Sequence, residues 1–178
     1  MQSSTTTIIA IFAAAVLLLV VPLVTLTQRN DNVVQKQVEL IVEEFVTDVK
    51  NTGVLTTTKY QDFVNRLSAT GNTYDIEMEI QHLDENPGKK TMQANYTKIG
   101  ENVYYSDYTT QIEQQLNIGS TGGSGQINLK EGDLIYVGVA NQNSTAAQTL
   151  KSSLLSFSSS GQAVIKADSS GMVNINGQ

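Results

Sequence analysis

Residues 8–26 read IIAIFAAAVLLLVVPLVTL, a stretch of 19 residues without a charged side chain. As a helix, with a rise of 1.5 Å per residue, the stretch would be about 28 Å long, close to the hydrocarbon thickness of a bilayer. A helix in the core of a soluble protein has a polar face, and this stretch has none. It therefore predicts an N-terminal helix that spans a membrane or is otherwise surrounded by apolar groups.

A cleavable secretory signal is the competing interpretation of this stretch. Such a signal has a basic n-region, a shorter apolar segment and small residues at the cleavage site. The preceding residues, MQSSTTT, contain no Lys or Arg, and Thr25-Leu26-Thr27 is a poor cleavage site. Cleavage after the apolar run is therefore not expected. Arg29 is the only basic residue nearby, so the orientation, N-terminus inside and C-terminus outside, is inferred from the polar composition of the remaining chain.

The helix is expected to continue beyond the apolar run. Apolar residues at i, i+4, i+7, i+8, i+11 and i+15 form one stripe: Val34, Val38, Ile41, Val42, Phe45 and Val49. We expect this stripe to pack on the rest of the protein and the charged opposite face to contact solvent. Pro22 predicts a kink or local unwinding near residues 18–22. A single helix over residues 5–50 would be roughly 70 Å long, and Gly53 is placed to end it.

Residues 51–178 predict an α+β head domain, with residues 1–50 as the N-terminal helix. Thr58 has the spacing of a helix cap, and a helical stripe over residues 60–67 ends at Gly71. From Tyr74 to His82 the apolar residues alternate, as in a half-buried strand. Asn86-Pro87-Gly88 predicts a turn, and Met92, Ala94 and Tyr96 a second strand of the same hairpin.

The C-terminal half of the head continues this alternation of helices and strands. Residues 108–116 predict a short helix, GSTGGSG at 119–125 a flexible linker, and LIYVGVA at 134–140 the strongest strand. Ser144 is placed to cap a helix that extends to Phe157. Residues 163–167 and 172–175 predict a final hairpin around Asp168-Ser169-Ser170-Gly171. The expected fold is α+β, with a long N-terminal helix laid against an antiparallel sheet.

The composition argues against several classes of function. The 178 residues carry a net charge of −6, contain one His and lack Cys, and all charged side chains fall between Arg29 and Asp168. Without Cys there is no disulfide framework, and without a basic face nucleic-acid binding is not expected. His82 alone provides no catalytic triad, and we interpret it as a core or edge histidine. We expect neither an enzyme nor a cofactor.

Three further patterns have a structural interpretation. Asp75, Glu77 and Glu79 lie on one strand face, where they suit either a solvated surface or weak calcium binding, and we favour the former. The glycines at 119–125 lack the Lys-Ser/Thr of a phosphate-binding loop. Tyr104, Tyr105 and Tyr108 are explained equally well by core packing and by an interface patch.

An uncharged N-terminus, an apolar helix, an amphipathic continuation and a polar α+β head together resemble the type IV pilin-like superfamily. The features that carry the resemblance are Met1, the apolar run to Val21, Pro22 and the stripe over residues 34–49. TGNTYDIE at 70–77 and EGDLIYV at 131–137 are similar to proteins of Tad/Flp-like pilus loci in Gram-positive bacteria.

The resemblance implies an extracellular filament in which the apolar helix halves form the core and the heads the surface. The implied assembly residues are Ile8, Ile9, Phe12, Ala14, Val16, Leu18, Leu19, Pro22 and Val24. The implied partners are further copies of the chain, the membrane before assembly, a prepilin peptidase and the pilus assembly machinery. The expected location is the cell surface. The alternatives are a monomeric, membrane-anchored extracellular binding domain and a minor pseudopilin of a secretion system.

The chain departs from the superfamily at two points. Thr5 stands where the superfamily has a glutamate that pairs with a neighbouring N-terminus, so the subunit register would need another basis. No basic leader precedes the apolar run. Either the numbering begins after removal of a leader by a prepilin peptidase, or no such processing occurs, and the neutral n-region favours the first expectation.

Overall fold

The structure, a computed structural model, describes residues 2–83, 104–119, 122–155 and 165–177. It begins with α1 (Gln2–Thr52), a single helix of 51 residues that includes Pro22. The predicted continuous helix is confirmed. The local unwinding predicted near Pro22 is wrong, because residues 18–22 remain α-helical. A proline removes one hydrogen bond, here the bond to the carbonyl of Leu18, and the neighbouring turns of a long helix retain theirs.

Gly53 ends α1, as its position predicted. Its N–H donates to the carbonyl of Val49 at 2.8 Å, and its φ is +65°. A Cβ at this position would lie 2.5 Å from the backbone nitrogen of Gly177 and 2.5 Å from the carbonyl oxygen of Ile175. The turn therefore requires glycine both for its left-handed conformation and for the close approach of the C-terminal segment.

The described strands of the head form two antiparallel sheets. β1 (Val54–Thr56) pairs with β4 (Gln126–Asn128). The larger sheet contains β2 (Tyr74–Leu83), β3 (Tyr104–Tyr108), β5 (Leu134–Asn141) and β6 (Lys166–Met172), in the order β3-β2-β5-β6. Three short helices complete the described head: α2 (Thr57–Ser68), α3 (Thr109–Gln115) and α4 (Ala146–Leu155). The predicted α+β class is confirmed.

The core lies between α1 and the inner face of the larger sheet. Val38, Val42 and Val49 of α1 are completely buried. Phe45 stacks on Phe63 of α2 with ring centroids 4.3 Å apart. The sheet contributes the alternate residues that its period of two predicts, Met78, Ile80, Ile135, Val137 and Val139. Its outer face carries Asp75 and Glu77, both exposed.

The predicted C-terminal hairpin is wrong. Lys166–Met172 is one strand, β6, and it passes straight through the proposed turn, with Asp168 opposite Gly138 and Gly171 opposite Ile135. Asp-Ser-Ser-Gly favours a turn locally. Pairing along the whole of β5 overrides that preference, since strand propensity depends strongly on tertiary context.

Two helix caps lie beside the predicted residues. Thr56, not Thr58, caps α2, where its side-chain oxygen accepts from the N–H of Lys59 at 3.2 Å. Thr145, not Ser144, caps α4, where its hydroxyl oxygen accepts from the N–H of Gln148 at 3.3 Å. The Gln148 side chain accepts from the Thr145 N–H in return at 2.9 Å. This reciprocal pair is a capping box.

Some predicted elements fall outside the described residues, and one described strand has a partner that was not predicted. The turn at 86–88, the strand at 92–96, Phe157 and residues 163–164 lie outside them. The sequence predicted that β2 pairs with a strand at 92–96. Among the described residues, the strand that pairs with β2 opposite β5 is β3, which was not predicted. In the glycine-rich segment, the Asn117 side chain accepts from the N–H groups of Gly122 and Gly123 at 3.1 and 2.6 Å. The described part of this segment is thus held within the head by hydrogen bonds.

Candidate functional site

The residues predicted to form an assembly surface lie on the part of α1 that precedes the head. We call residues 8–26 the apolar half of the helix. Phe12 is 73% exposed and Leu18 is 78% exposed. Ile8, Ile9, Ala14, Val16, Leu19 and Pro22 are also exposed, and Val24 is partly buried. By length and composition this part of α1 is apolar enough to cross a membrane or to serve as a signal sequence, and none of its most apolar window is buried within the chain.

The second half of the same helix has the opposite environment. We call residues 31–50 the docked half. The six residues of the predicted stripe are all buried there: Val34, Val38, Ile41, Val42, Phe45 and Val49. Val46 is buried beside them, although the sequence reasoning did not include it. The docked half is therefore an integral part of the head's core.

A buried hydrogen bond marks the point where the helix meets the head. The hydroxyl of Thr145 donates to the Asp31 carboxylate at 2.6 Å, and both residues are buried. Because Thr145 also caps α4, the carboxylate lies near the N-terminal end of that helix, where the helix dipole favours a negative charge. The sequence showed no sign of this contact, whose partners are 114 residues apart.

Gln35 makes a second contact of this kind, with the edge of the larger sheet. Its side-chain amide donates to the backbone carbonyl of Lys166 at 2.5 Å and accepts from the Lys166 N–H at 3.0 Å. The amide thus pairs with β6 as the backbone of a neighbouring strand would. At the far end of the docked half, the carbonyl of Lys50 accepts from the N–H of Asn174 at 3.2 Å.

The head also contains a polar cleft of about 460 Å³ at one end of the larger sheet. It is lined by His82 and Leu83 of β2, Tyr105 and Asp107 of β3, Gln115, residues 126–128 of β4, Lys130 and Asp133. Polar side chains predominate in this lining. The sequence predicted a core or edge histidine at position 82 but not the cleft, because the other described walls come from distant parts of the chain.

Asp133 is a buried carboxylate of the cleft that holds three neighbouring groups by hydrogen bonds. This carboxylate is almost completely buried and lies 2.9 Å from Nδ1 of His82. It also accepts from the N–H groups of Leu83 and Lys130, at 3.0 and 2.9 Å. On the other side of the imidazole, Nε2 lies 3.8 Å from a carboxylate oxygen of Asp107. The ring is therefore fixed between two carboxylates, of which only Asp133 is within hydrogen-bond distance.

The carboxylates on the outer face of the sheet form no comparable site. Asp75 and Glu77 are exposed, and Glu79 accepts hydrogen bonds from the side chains of Gln81 and Ser106, at 2.9 and 2.8 Å. These two bonds stabilise the charged form and lower the pKa of Glu79. Among the described residues, no group of three His, Cys, Asp or Glu side chains is placed to hold a metal ion.

Comparison of the chain with protein-family models, with curated proteins and with solved structures finds no match. Its class therefore rests on its own architecture. A long N-terminal helix, apolar at its start and packed on an antiparallel sheet at its end, has a shape compatible with a pilin-like fold.

Proposed function

We propose that this protein is a structural subunit of an extracellular type IV-like, Tad-like filament, which polymerises through the apolar half of α1. One observation carries the proposal. The apolar half carries exposed apolar side chains around the helix, whereas the apolar stripe of the docked half is buried in the head. A surface that is apolar all round requires apolar neighbours all round, and both lipid and other copies of the helix provide them.

The continuity of the helix supports a filament over a simple anchor. An anchor requires only the residues that cross the bilayer, and it needs no fixed geometry relative to the head. Here one helix runs from the apolar half into the core, where Asp31 and Gln35 bond to the head. A fixed angle between helix and head is what a repeating assembly needs, since every head must take the same position around the filament.

The composition of the apolar half supports helix–helix contact. Small residues occur at positions 10 and 13–15, and all of them are exposed alanines. Between membrane helices, small residues allow close approach and van der Waals packing, because exchanging lipid for a neighbouring helix changes solvation little. The proposed partners are thus other copies of the chain, the membrane before assembly, a prepilin peptidase and the pilus assembly machinery, at the cell surface. Nucleic acid, cofactors and catalysis have no part in the proposal.

The test compares three variants of the full chain for filaments in negative stain and for membrane insertion. Leu18→Asp places a charge in the apolar half at a cost of about 2.5–3.5 kcal/mol in a membrane, and we expect no filaments. Ala14→Leu keeps the helix apolar but enlarges its surface, so it should insert into the membrane and still fail to assemble. Asn32→Asp, an exposed change beyond the apolar half, is the control that should assemble normally.

Each outcome bears on the proposal. Ordered filaments from Leu18→Asp, or a native protein that is only ever a detergent-soluble monomer, would contradict it. Filaments from Ala14→Leu would contradict close packing of the helices at that position. N-terminal sequencing of the mature protein tests processing separately, because a methylated Met1 would indicate a prepilin peptidase.

The cleft beside His82 favours a second candidate, a membrane-anchored extracellular binding domain. Its volume of about 460 Å³ lies within the range of small-molecule sites, and its fixed polar groups could orient a ligand. In that case Ala14→Leu would leave the function unchanged, since a monomeric anchor does not depend on contacts between helices. The same variant therefore separates the two candidates.

A further inference from the structure

We propose that the cleft beside His82 binds a neutral polyhydroxylated ligand, a sugar residue of a glycan. This proposal concerns the head alone and holds whether or not the chain forms filaments. The volume of the cleft, about 460 Å³, lies within the usual range of small-molecule sites. Its described walls come from β2, β3, α3, β4 and the segment before β5.

The polar groups of the cleft suit hydroxyls, which both donate and accept hydrogen bonds. On one wall the Gln115 amide donates to the Asp107 carboxylate at 2.8 Å. On another, the Gln126 amide donates to the side-chain carbonyl of Asn128 at 2.5 Å. These pairs hold planar amide and carboxylate groups in fixed orientations at the surface of the cleft. A sugar hydroxyl can accept from an amide N–H and donate to a carboxylate oxygen at the same time.

The gap between His82 and Asp107 suits one such hydroxyl. The buried carboxylate of Asp133 fixes the imidazole through Nδ1. Nε2 then lies 3.8 Å from the Asp107 oxygen, too far for a direct hydrogen bond. In the neutral tautomer whose Nδ1–H donates to Asp133, Nε2 is an acceptor, so a sugar hydroxyl that enters the gap would donate its one proton either to Nε2 or to the Asp107 oxygen, at an ordinary hydrogen-bond length of about 2.8 Å.

Tyr105 provides the apolar contact that a sugar ring requires. Its ring stacks on His82 with centroids 5.0 Å apart, and the residue is 50% exposed. The C–H groups on one face of a pyranose pack against an aromatic ring, while the hydroxyls at its rim reach the polar walls. A half-exposed aromatic beside fixed amides and carboxylates is the combination that recognises an amphipathic ring.

The charge of the cleft favours a neutral ligand over an anion. Asp107 and Asp133 contribute two carboxylates, and among the described residues of the lining Lys130 is the only Lys or Arg. A phosphate or an acidic sugar would therefore meet like charges at the floor of the cleft. The scarcity of apolar side chains argues equally against a lipid or a hydrophobic peptide.

The test uses the single histidine as a reporter. In the full-length chain, labelled at histidine and held in a detergent without a sugar headgroup, the only histidine ring signals are those of His82. Methyl glycosides of glucose, galactose, mannose and N-acetylglucosamine are titrated singly. We expect at least one of them to shift these signals in a saturable way in the millimolar range, which is typical of weak binding.

Variants of two tyrosines on the same strand provide the matched control. Tyr105→Ala should raise Kd about tenfold, equivalent to 1.4 kcal/mol, whereas Tyr105→Phe should keep most of the affinity because it keeps the ring. Tyr108→Ala, at a residue 59% exposed and outside the cleft, should bind like the native chain. Saturable binding weakened by Tyr105→Ala alone supports the proposal.

Three results would overturn it. The first is that no glycoside of the panel shifts the His82 signals. The second is that inorganic phosphate shifts them more strongly than any glycoside, which would assign the cleft to an anion. The third is an equal loss of affinity in Tyr105→Ala and Tyr108→Ala. None of these results depends on whether the chain assembles, so the filament proposal is tested separately.

Discussion

The apolar half and the docked half of α1 share a backbone conformation but differ in what surrounds them. Both are rich in Val, Leu and Ile, and both are helical without interruption. In the docked half the head buries one stripe of apolar residues, whereas Val33 and Leu40 lie outside that stripe and are exposed. In the apolar half, apolar residues cover every side, and the head buries none of the most apolar window.

The difference teaches that the polar residues, more than the apolar ones, determine what each half requires. In the docked half, exposed polar and charged residues such as Lys36, Glu43 and Asp48 limit apolar contact to one side. One partner, the head, is then sufficient. The apolar half has no such boundary, and the described residues of the head bury none of its most apolar window. Under the filament proposal its partners are other copies of the chain and, before assembly, lipid.

The largest expected effect comes from placing the same acid in each half. Val42 is completely buried, so Val42→Asp should destabilise the head by more than about 4 kcal/mol and unfold it. Leu18→Asp should leave the head's thermal unfolding unchanged, because Leu18 is exposed. Near-ultraviolet circular dichroism of the tyrosines, with the chain in detergent, measures both. A folded Val42→Asp head with native thermal stability would show that the two halves do not differ as described.

A smaller effect is expected at the border between the halves. Thr145→Val removes both the donor to the buried Asp31 carboxylate and the hydroxyl that caps α4, and it should cost about 1–3 kcal/mol in denaturant unfolding. Asp31→Asn, which keeps an acceptor for the Thr145 hydroxyl, should cost less and serves as the control. If Thr145→Val is as stable as the native chain, this hydrogen bond does not hold the helix to the head.

The smallest expected effect is on how stability depends on pH, and it concerns Tyr60 of α2, the helix that packs beside the docked half. Burial, followed by the hydrogen bond that its hydroxyl donates to Glu113 at 2.9 Å, raises the pKa of Tyr60. A raised pKa in the folded state means that the associated stability is complete below the unfolded pKa of about 10 and declines as the pH rises above it.

Tyr60→Phe should therefore lose about 1 kcal/mol near neutral pH and become less sensitive to alkaline pH. Denaturant unfolding at a series of pH values above 9 measures the difference, with Tyr136→Phe as a control on the outer face of the sheet. An unchanged alkaline slope in Tyr60→Phe would show that another group causes the loss of stability.

Local patterns made the helices and the central strands predictable. The period of the stripe in the docked half, the alternation over β2 and the glycine at 53 all report on residues near each other in sequence. The errors arose where distant residues decide. Asp168-Ser169-Ser170-Gly171 resembles a turn until β5 lies beside it, and β3 has little of the alternation of a buried strand.

The contacts of the candidate sites show the same limit. Asp31 and Gln35 look like ordinary surface residues of a helix, since their partners lie 114 and 131 residues further along the chain. The cleft could not be anticipated, because His82 acquires its environment from Asp107 and Asp133 only when the sheet forms. The exposure of the apolar half, by contrast, follows directly from its composition.

The bonds of Gln35 and Lys50 to β6 have a consequence for aggregation. β6 is an outer strand of the larger sheet, and an open strand edge is a template on which a second chain can pair. Gln35 occupies the backbone groups at the first residue of β6, and the carbonyl of Lys50 occupies the N–H of Asn174 just beyond its last. Helix α1 is thus hydrogen-bonded to the edge of the sheet at both ends of β6. Loosening the helix would therefore expose this edge to pairing with another strand.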